Sequence, residues 1–320
     1  MKNRAIRFLS VAALPVALFL VFMIAAKGFG FHSLPIILSQ TMIPAAMAFG
    51  MCLVMNTGMM DFSIGARSVL AAMLGALGAV RFGIPGMLLG ALLGGMAGAA
   101  LMGLIYRVLK IPAMVVSLGV VMVYEIISAK IVGSTGYITI GAALYSVGSY
   151  PRNLIFVLVG AVVLYIIYYK MKIGSNLIAV GNDELMCKNV GIDPANVKMM
   201  AFVLSGIFAS IAGVLYLCYS GSITASTGMG TMSLVFKPLM CVLIARVLRR
   251  FVDNMPLLIL IGSLSLAIIF NGFIALGFSK ELQDVFMGLF MIGIMGYSGS
   301  AEYLNTWLYR RKLRKAHGVA

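Results

Sequence analysis

The chain has 320 residues, of which 62% are hydrophobic and 10% charged, and its formal net charge is +15. This composition excludes a soluble globular domain, and repeated apolar runs of roughly 18 to 24 residues predict membrane-spanning helices rather than a barrel. It also argues against nucleic-acid binding, which would require a soluble basic domain that the sequence lacks. We therefore predict an all-α integral membrane protein with a single transmembrane domain over residues 1–320.

The apolar runs predict about ten membrane spans, the first of them a retained span and not a cleaved signal. In chain order the predicted spans are Phe8–Ala26, Ile36–Met55, Phe62–Val80, Ile84–Tyr106, Ala113–Val132, Leu154–Tyr169, Met199–Tyr219, Ser233–Val247, Pro256–Phe278 and Val285–Tyr297.

The basic residues predict the orientation of these spans. If the chain starts in the cytoplasm, seventeen of the 24 Lys and Arg residues lie on the cytoplasmic side and five on the opposite side. Because cytoplasmic loops carry the excess of positive charge, both termini are predicted to be cytoplasmic, with a basic tail over residues 303–320. These juxtamembrane charges also suit contact with anionic lipid.

A polar interruption separates the second and third predicted spans, and it contains Asn56, Asp61 and Ser63 together with Gly58 and Gly65. Irregular backbone near membrane depth is tolerated where it is buried in protein or lines a cavity, and broken helices often line substrate paths. The three residues are therefore candidates for a translocation pathway. A tight cytoplasmic hairpin explains the same residues equally well, and the sequence leaves both interpretations open.

Glycines recur at a strict period of four in the fourth predicted span, at Gly86, Gly90, Gly94 and Gly98. Such a ridge of small residues lets a neighbouring helix approach closely. The pattern predicts helix packing, either within the chain or with a second copy of it.

The polar loop Gly174–Lys198 is predicted to carry a short cytoplasmic helix over Asp183–Val190. Asn182 is the predicted N-cap, and Asp183 and Glu184 would lie in the first turn, where they complement the helix dipole. Lys188 lies near the other end, and Gly191 is placed to stop the helix in a left-handed conformation. We interpret this helix as a docking element for a soluble partner; the alternative is a surface helix that only keeps the loop solvated.

The remaining polar residues in the spans are few. Asn271, followed by Gly272, is predicted to interrupt the ninth span, and we count it as a further pathway candidate. Glu125 lies near the outer end of the fifth span, where it could be merely interfacial, and Arg67 and Lys237 receive no role. No residue set has the spacing of a catalytic, metal or phosphate-binding motif, so we predict a protein that is not an enzyme and binds no metal or cofactor.

Five segments in the same order resemble the membrane permeases of bacterial ATP-binding cassette (ABC) importers for simple sugars, of the ribose, galactose, xylose and arabinose type. The Asp61-Phe-Ser-Ile-Gly65 segment is similar to the family's Gly-Ile-Asp-Leu-Ser-Val-Gly, and Ala179–Glu184 with Gly191-Ile192 is similar to its coupling loop. The other similar segments are Pro112–Gly119, Leu204–Gly213 and Asn271–Gly277.

The resemblance implies a permease subunit in a bacterial inner or plasma membrane that forms the pathway for a monosaccharide or related small polar solute. It implies that Asn182, Asp183, Glu184, Lys188 and Gly191 couple the permease to a cytoplasmic ATPase, which uses ATP and Mg²⁺. It further implies an extracellular or periplasmic solute-binding protein and a second permease subunit, identical or different.

The chain departs from the family pattern at three places. Leu185-Met186-Cys187 stands where the coupling helix usually has a pair of small residues, Met232 stands in place of an acidic residue, and a Gly-rich stretch after the eighth span is absent. A nucleoside or branched-chain amino-acid ABC permease is therefore kept as an alternative. An ion-coupled secondary transporter is a weaker alternative, since it needs carboxylates in the membrane and only Glu125 and Asp61 qualify.

Overall fold

A computed structural model of the protein describes residues 2–296, so the predicted basic tail over residues 303–320 lies outside the described part of the chain. The helices, in chain order, are α1 (Lys2–Ala25), α2 (Leu34–Met55), α3 (Ile64–Leu109), α4 (Ala113–Val132), α5 (Ala142–Gly148), α6 (Arg152–Tyr165), α7 (Lys172–Asn182), α8 (Glu184–Asn189), α9 (Pro194–Ser220), α10 (Ser233–Leu248), α11 (Met255–Ala275) and α12 (residues 280–296). The short strands β1 (Tyr137–Thr139) and β2 (Ser222–Thr224) form an antiparallel pair.

Within residues 2–296, eight helical segments are long and apolar enough to cross a membrane. One of them, α3, has 46 residues and would be roughly 69 Å long if straight, about twice the thickness of the hydrocarbon core. Gly83, with φ 64° and ψ −144°, folds α3 back on itself, so this helix supplies both the third and the fourth predicted spans. With α12 at the position of the tenth, the predicted all-α membrane architecture is confirmed.

The glycine ridge packs the two halves of α3 against each other. A Cβ atom on Gly90 would overlap the carbonyl of Leu74, and one on Gly94 would lie 3.0 Å from the Cα of Ala71. Gly90 faces Leu74, and Gly94, later in the chain, faces the earlier residue Ala71, so the two halves of α3 run antiparallel. The sequence left the partner of the ridge open, and the structure places that partner within the chain.

The helices α2 and α9 form the centre of the bundle. Every α2 residue from Ala45 to Met55 is buried, as expected for a helix that is apolar all round, and Phe49 packs edge-on against Phe208 of α9 at 5.9 Å between ring centroids. Small residues bring α9 against α3, because a Cβ on Gly206 would lie 2.6 Å from the Cβ of Ala99. The core is thus held by close backbone approach as well as by large side chains.

The helix α9 is long enough for its two ends to lie on opposite sides of the membrane. Its 27 residues span roughly 40 Å, enough to cross the hydrocarbon core completely. The short helix α8 precedes its first residue, whereas β2 follows its last residue and pairs with β1. The polar loop and the β1–β2 pair therefore lie on opposite sides, which we call the loop side and the strand side.

One predicted interruption is wrong. Asn271 and Gly272 lie inside the continuous helix α11 and do not break it. Glycine is present here because a Cβ at position 272 would overlap the ring of Phe22 in α1, so the residue allows close helix packing and not a bend.

Candidate functional site

The short helix α8 is capped by Asp183 and not, as predicted, by Asn182. Asn182 is the last residue of α7, whereas Asp183 has extended backbone angles, φ −157° and ψ 108°. Its Oδ1 atom accepts hydrogen bonds from the backbone N–H groups of Leu185 and Met186, each at 2.9 Å. The sequence prediction failed because either residue is a good N-cap, and the choice depends on where the preceding helix ends.

Gly191 ends this segment in the left-handed conformation that the sequence predicted. Its φ is +82°, and its backbone N–H donates to the carbonyl of Lys188 at 3.1 Å. The N–H of Ile192 donates to the carbonyl of Cys187 at 2.9 Å, which completes a glycine-type helix stop. Both ends of α8 are therefore fixed by local hydrogen bonds.

Only one side of α8 is attached to the membrane domain. Cys187 is buried, and the Lys198 ammonium of α9 donates to Glu184 Oε1 at 2.5 Å. The other apolar side chains in and directly after α8 are exposed to solvent: Leu185, Met186 and Val190 are 72%, 67% and 68% exposed. Lys188 is exposed beside them. The helix thus presents an uncovered apolar patch, formed by Leu185, Met186 and Val190, with charges around it.

The polar interruption after α2 lies directly against the loop that carries α8. A Cβ on Gly181, near the end of α7, would overlap the backbone carbonyl of Asn56 and lie 3.3 Å from the Cα of Thr57. On the same side, Arg246 of α10 donates to the carbonyl of Met55 at 2.6 Å. Asn56 itself directs its amide to Cys52 Sγ at 3.6 Å. The interruption is therefore at the loop side of the membrane domain.

Asp61 and Arg67 form an ion pair whose two side chains are completely buried. Asp61 Oδ1 also accepts from the backbone N–H and the hydroxyl of Ser63, at 2.8 and 2.6 Å. Arg67 donates from a second nitrogen to Ser205 Oγ of α9 at 2.9 Å. In this structure Asp61 and Ser63 brace the start of α3 against α9, and their predicted place in a translocation pathway stays a prediction.

The glycine ridge extends this polar cluster. The side chain of Arg67 lies against Gly98, where an added Cβ would be 3.3 Å from Arg67 Cγ. The carbonyl of Gly98 accepts a hydrogen bond from the Tyr124 hydroxyl of α4 at 2.5 Å. Physical contacts thus run without a gap from the α8 loop through the interruption to the centre of α3, α4 and α9.

Glu125 has a defined role that the sequence missed. It is 2% exposed and accepts from the backbone N–H of Met229 and of Thr231, each at 2.8 Å, and from the Thr231 hydroxyl at 2.7 Å. These groups form the turn that leads into α10.

Asn271, the last pathway candidate, is paired within the membrane. Its amide donates to Gln40 Oε1 of α2 at 2.7 Å and to the carbonyl of Ala267 at 2.8 Å. Sequence reasoning did not identify Gln40, Arg67 or Ser205. The available signal for the first two was a polar residue in an otherwise apolar span, but no local pattern indicated their partners.

Comparison with known proteins independently supports the resemblance to transport permeases. A family model described as "Branched-chain amino acid transport system / permease component" matches residues 33–295. The galactofuranose transporter permease protein YtfT of Escherichia coli (strain K12) is 30% identical over 186 residues, which cover 56% of this chain and 54% of that protein. The autoinducer 2 import system permease protein LsrC of Salmonella typhimurium is 25% identical over 275 residues, 84% of this chain and 78% of the relative.

A solved structure shares the fold. A metal-chelate type ABC transporter in an inward-facing conformation superimposes with a TM-score of 0.51, covering 84% of this chain and 90% of that chain at 14% identity. At this identity the likeness concerns the fold alone. Since the family model covers most of the chain, this protein belongs to the permease-component family described for branched-chain amino acid transport systems.

Proposed function

We propose that this chain is the membrane subunit of an ABC importer and forms the pathway for a monosaccharide or a related small polar solute. Its family membership and the two relatives described above, both permease proteins, support the permease role. The chain itself is proposed to be non-catalytic, with the ATP and Mg²⁺ bound and used by a separate ATPase.

The observation that carries this proposal is the exposed face of α8. A helix of six residues is too short to be stable alone, yet here it is capped at both ends and held by the Glu184–Lys198 contact. Its Leu185, Met186 and Val190 side chains remain uncovered. An ordered helix with an apolar patch outside the membrane is suited to enter a hydrophobic groove of a soluble protein. We assign that protein as the ATPase.

The remaining partners follow from the importer assignment. A solute-binding protein would deliver the solute on the strand side, and a second permease subunit would complete the pathway. The excess of basic residues on the loop side supports a cytoplasmic position for that side and for both termini of a multi-pass bacterial inner or plasma membrane protein.

The solute class is supported by the names of the relatives, one of which is a galactofuranose transporter permease. A branched-chain amino acid is the second candidate, because the description of the matching family names that class. Uptake assays that compare radiolabelled D-galactose, D-ribose and L-leucine in the same reconstituted complex would separate the two.

The coupling role is tested with the ATPase and binding protein of the same transport system. We expect Met186→Glu, which places a charge on the exposed patch, to lower both uptake and the ATP hydrolysis that loaded binding protein stimulates. Ile111→Glu, a partly exposed apolar residue elsewhere on the loop side, is the matched control and should leave both activities near wild type. Wild-type activities in Met186→Glu would contradict the assignment of α8 as the coupling element.

The orientation is tested by labelling. Ser175 is exposed on α7 at the loop side and, among the described residues, donates only to the nearby carbonyl of Lys172. On a background without the four native cysteines, Ser175→Cys should resist an impermeant thiol reagent in intact cells and react after the cells are opened. Ready labelling in intact cells would reverse the orientation.

A further inference from the structure

Three polar side chains from separate helices lie in one region of the membrane domain on the strand side. Gln40 of α2 and Asn271 of α11 are hydrogen-bonded to each other, and Lys237 of α10 lines the same small cavity as Gln40. Counting at about 1.5 Å per residue, Gln40 lies roughly 9 Å, and Lys237 and Asn271 roughly 6 Å, from the strand-side ends of their helices. The three residues therefore share one depth, in the outer part of the membrane.

The residue Lys237 is exposed on the surface of the protein although it lies in the apolar helix α10. Its ammonium is 4.8 Å from the centroid of the Phe270 ring, and Asp284 of α12 acts on it electrostatically from beyond ion-pair distance. Within residues 2–296 the ammonium donates no hydrogen bond, so its three N–H groups remain available. A lysine at this position is unfavourable against lipid tails, and intramembrane charges of this kind typically face a water-filled path.

The cavity beside these residues has a volume of about 30 Å³, and Ser263 of α11 also lines it. This volume is close to the space of one water molecule and is too small for a sugar. The structure therefore shows Gln40, Lys237 and Ser263 around a water-sized space. A solute could enter only if α10, α11 and α2 move apart, as alternating access requires.

We propose that Lys237, Gln40 and Asn271 form a contact site for the transported solute in the outer part of the pathway. Lys237 supplies N–H donors and positive charge, and the two amides supply both donors and acceptors. This set suits an uncharged or anionic solute rich in hydroxyl or carbonyl oxygens and disfavours a cationic one. The inference rests on the proposed transport function and adds to it the residues that hold the solute.

The first test asks whether the site is reached by water. On a cysteine-free background, Lys237→Cys should react in intact cells with an impermeant cationic methanethiosulfonate reagent at least about tenfold faster than Leu20→Cys. Leu20 of α1 is the matched control, because it is exposed at a similar depth on the strand side. Equal, slow reaction of the two variants would show that position 237 faces lipid, and it would overturn the proposal.

The second test separates this site from the coupling helix. In complexes reconstituted with the ATPase and binding protein, Lys237→Met and Gln40→Leu should lower uptake of radiolabelled D-ribose or D-galactose about tenfold, the effect of losing one strong hydrogen bond. ATP hydrolysis stimulated by loaded binding protein should stay within about twofold of wild type. Lys27→Met, which removes an exposed charge outside the cluster, should change neither activity.

The outcomes distinguish failure of the proposed contact site from failure of the importer assignment. Unchanged uptake per ATP hydrolysed in both Lys237→Met and Gln40→Leu would overturn the contact site while leaving the importer assignment intact. A wild-type complex that transports neither sugar would contradict the proposed solute class, and the labelling test would then still decide whether Lys237 faces an aqueous path. Lys237→Arg, which keeps the charge, should retain more uptake than Lys237→Met.

Discussion

The buried Asp61–Arg67 pair offers the sharpest test of how the interruption after α2 is stabilised. Both side chains are inaccessible to solvent. Replacing Arg67 with Met would leave the carboxylate of Asp61 buried without its counter-charge, which typically costs about 3–5 kcal/mol. The double variant Asp61→Asn with Arg67→Met removes both charges, and Asn still offers an oxygen to the backbone N–H of Ser63. We expect the double variant to recover most of the loss.

The four cysteines provide the assay, because all of them are buried in the folded chain. A fluorogenic thiol reagent added to the purified protein in detergent therefore reports unfolding as temperature rises. Arg67→Met should lower the midpoint by roughly 5 °C or more, and the double variant should lie much closer to wild type. Uptake by each assembled complex is measured in parallel.

Two results would refute this reasoning. A single variant as stable as wild type would mean that the Asp61 carboxylate reaches water, which would favour its prediction as a pathway residue. A double variant less stable than Arg67→Met would mean that the pair contributes net stability and not merely mutual neutralisation of two buried charges.

Three further predictions follow from individual contacts. Glu125→Gln should destabilise the turn into α10 by about 1–3 kcal/mol, since one amide oxygen cannot accept from all three donors, and faster proteolysis at that turn would report it. Gly90→Val should prevent the two halves of α3 from packing and abolish recovery of folded protein, whereas Gly119→Ala, with open space at the Cβ position, should be recovered normally. Gly181→Val should push α7 away from Asn56 and reduce uptake and stimulated ATP hydrolysis together, while the midpoint of thermal unfolding changes little.

The sequence alone was sufficient for the features that depend on local pattern. Composition and the lengths of the apolar runs determine a multi-span helical protein, because backbone polar groups in lipid must be satisfied within a helix. The four-residue period of Gly86, Gly90, Gly94 and Gly98 determines a close-packed face, and Gly191 determines the end of α8 through its positive φ. Each of these conclusions requires only residues near one another in the chain.

Tertiary structure decided the features that depend on a distant partner. The ridge packs within α3 because Gly83 reverses the chain there, and the sequence could not distinguish this arrangement from packing against a second copy. Arg67 meets Ser205, Glu125 meets Thr231, and Gln40 meets Asn271, each across more than a hundred residues. A polar residue buried in a membrane protein must find a hydrogen-bonding partner, but its identity depends on which helices become neighbours. For that reason the sequence indicated which polar residues lie in apolar spans, and only the fold showed what they bind.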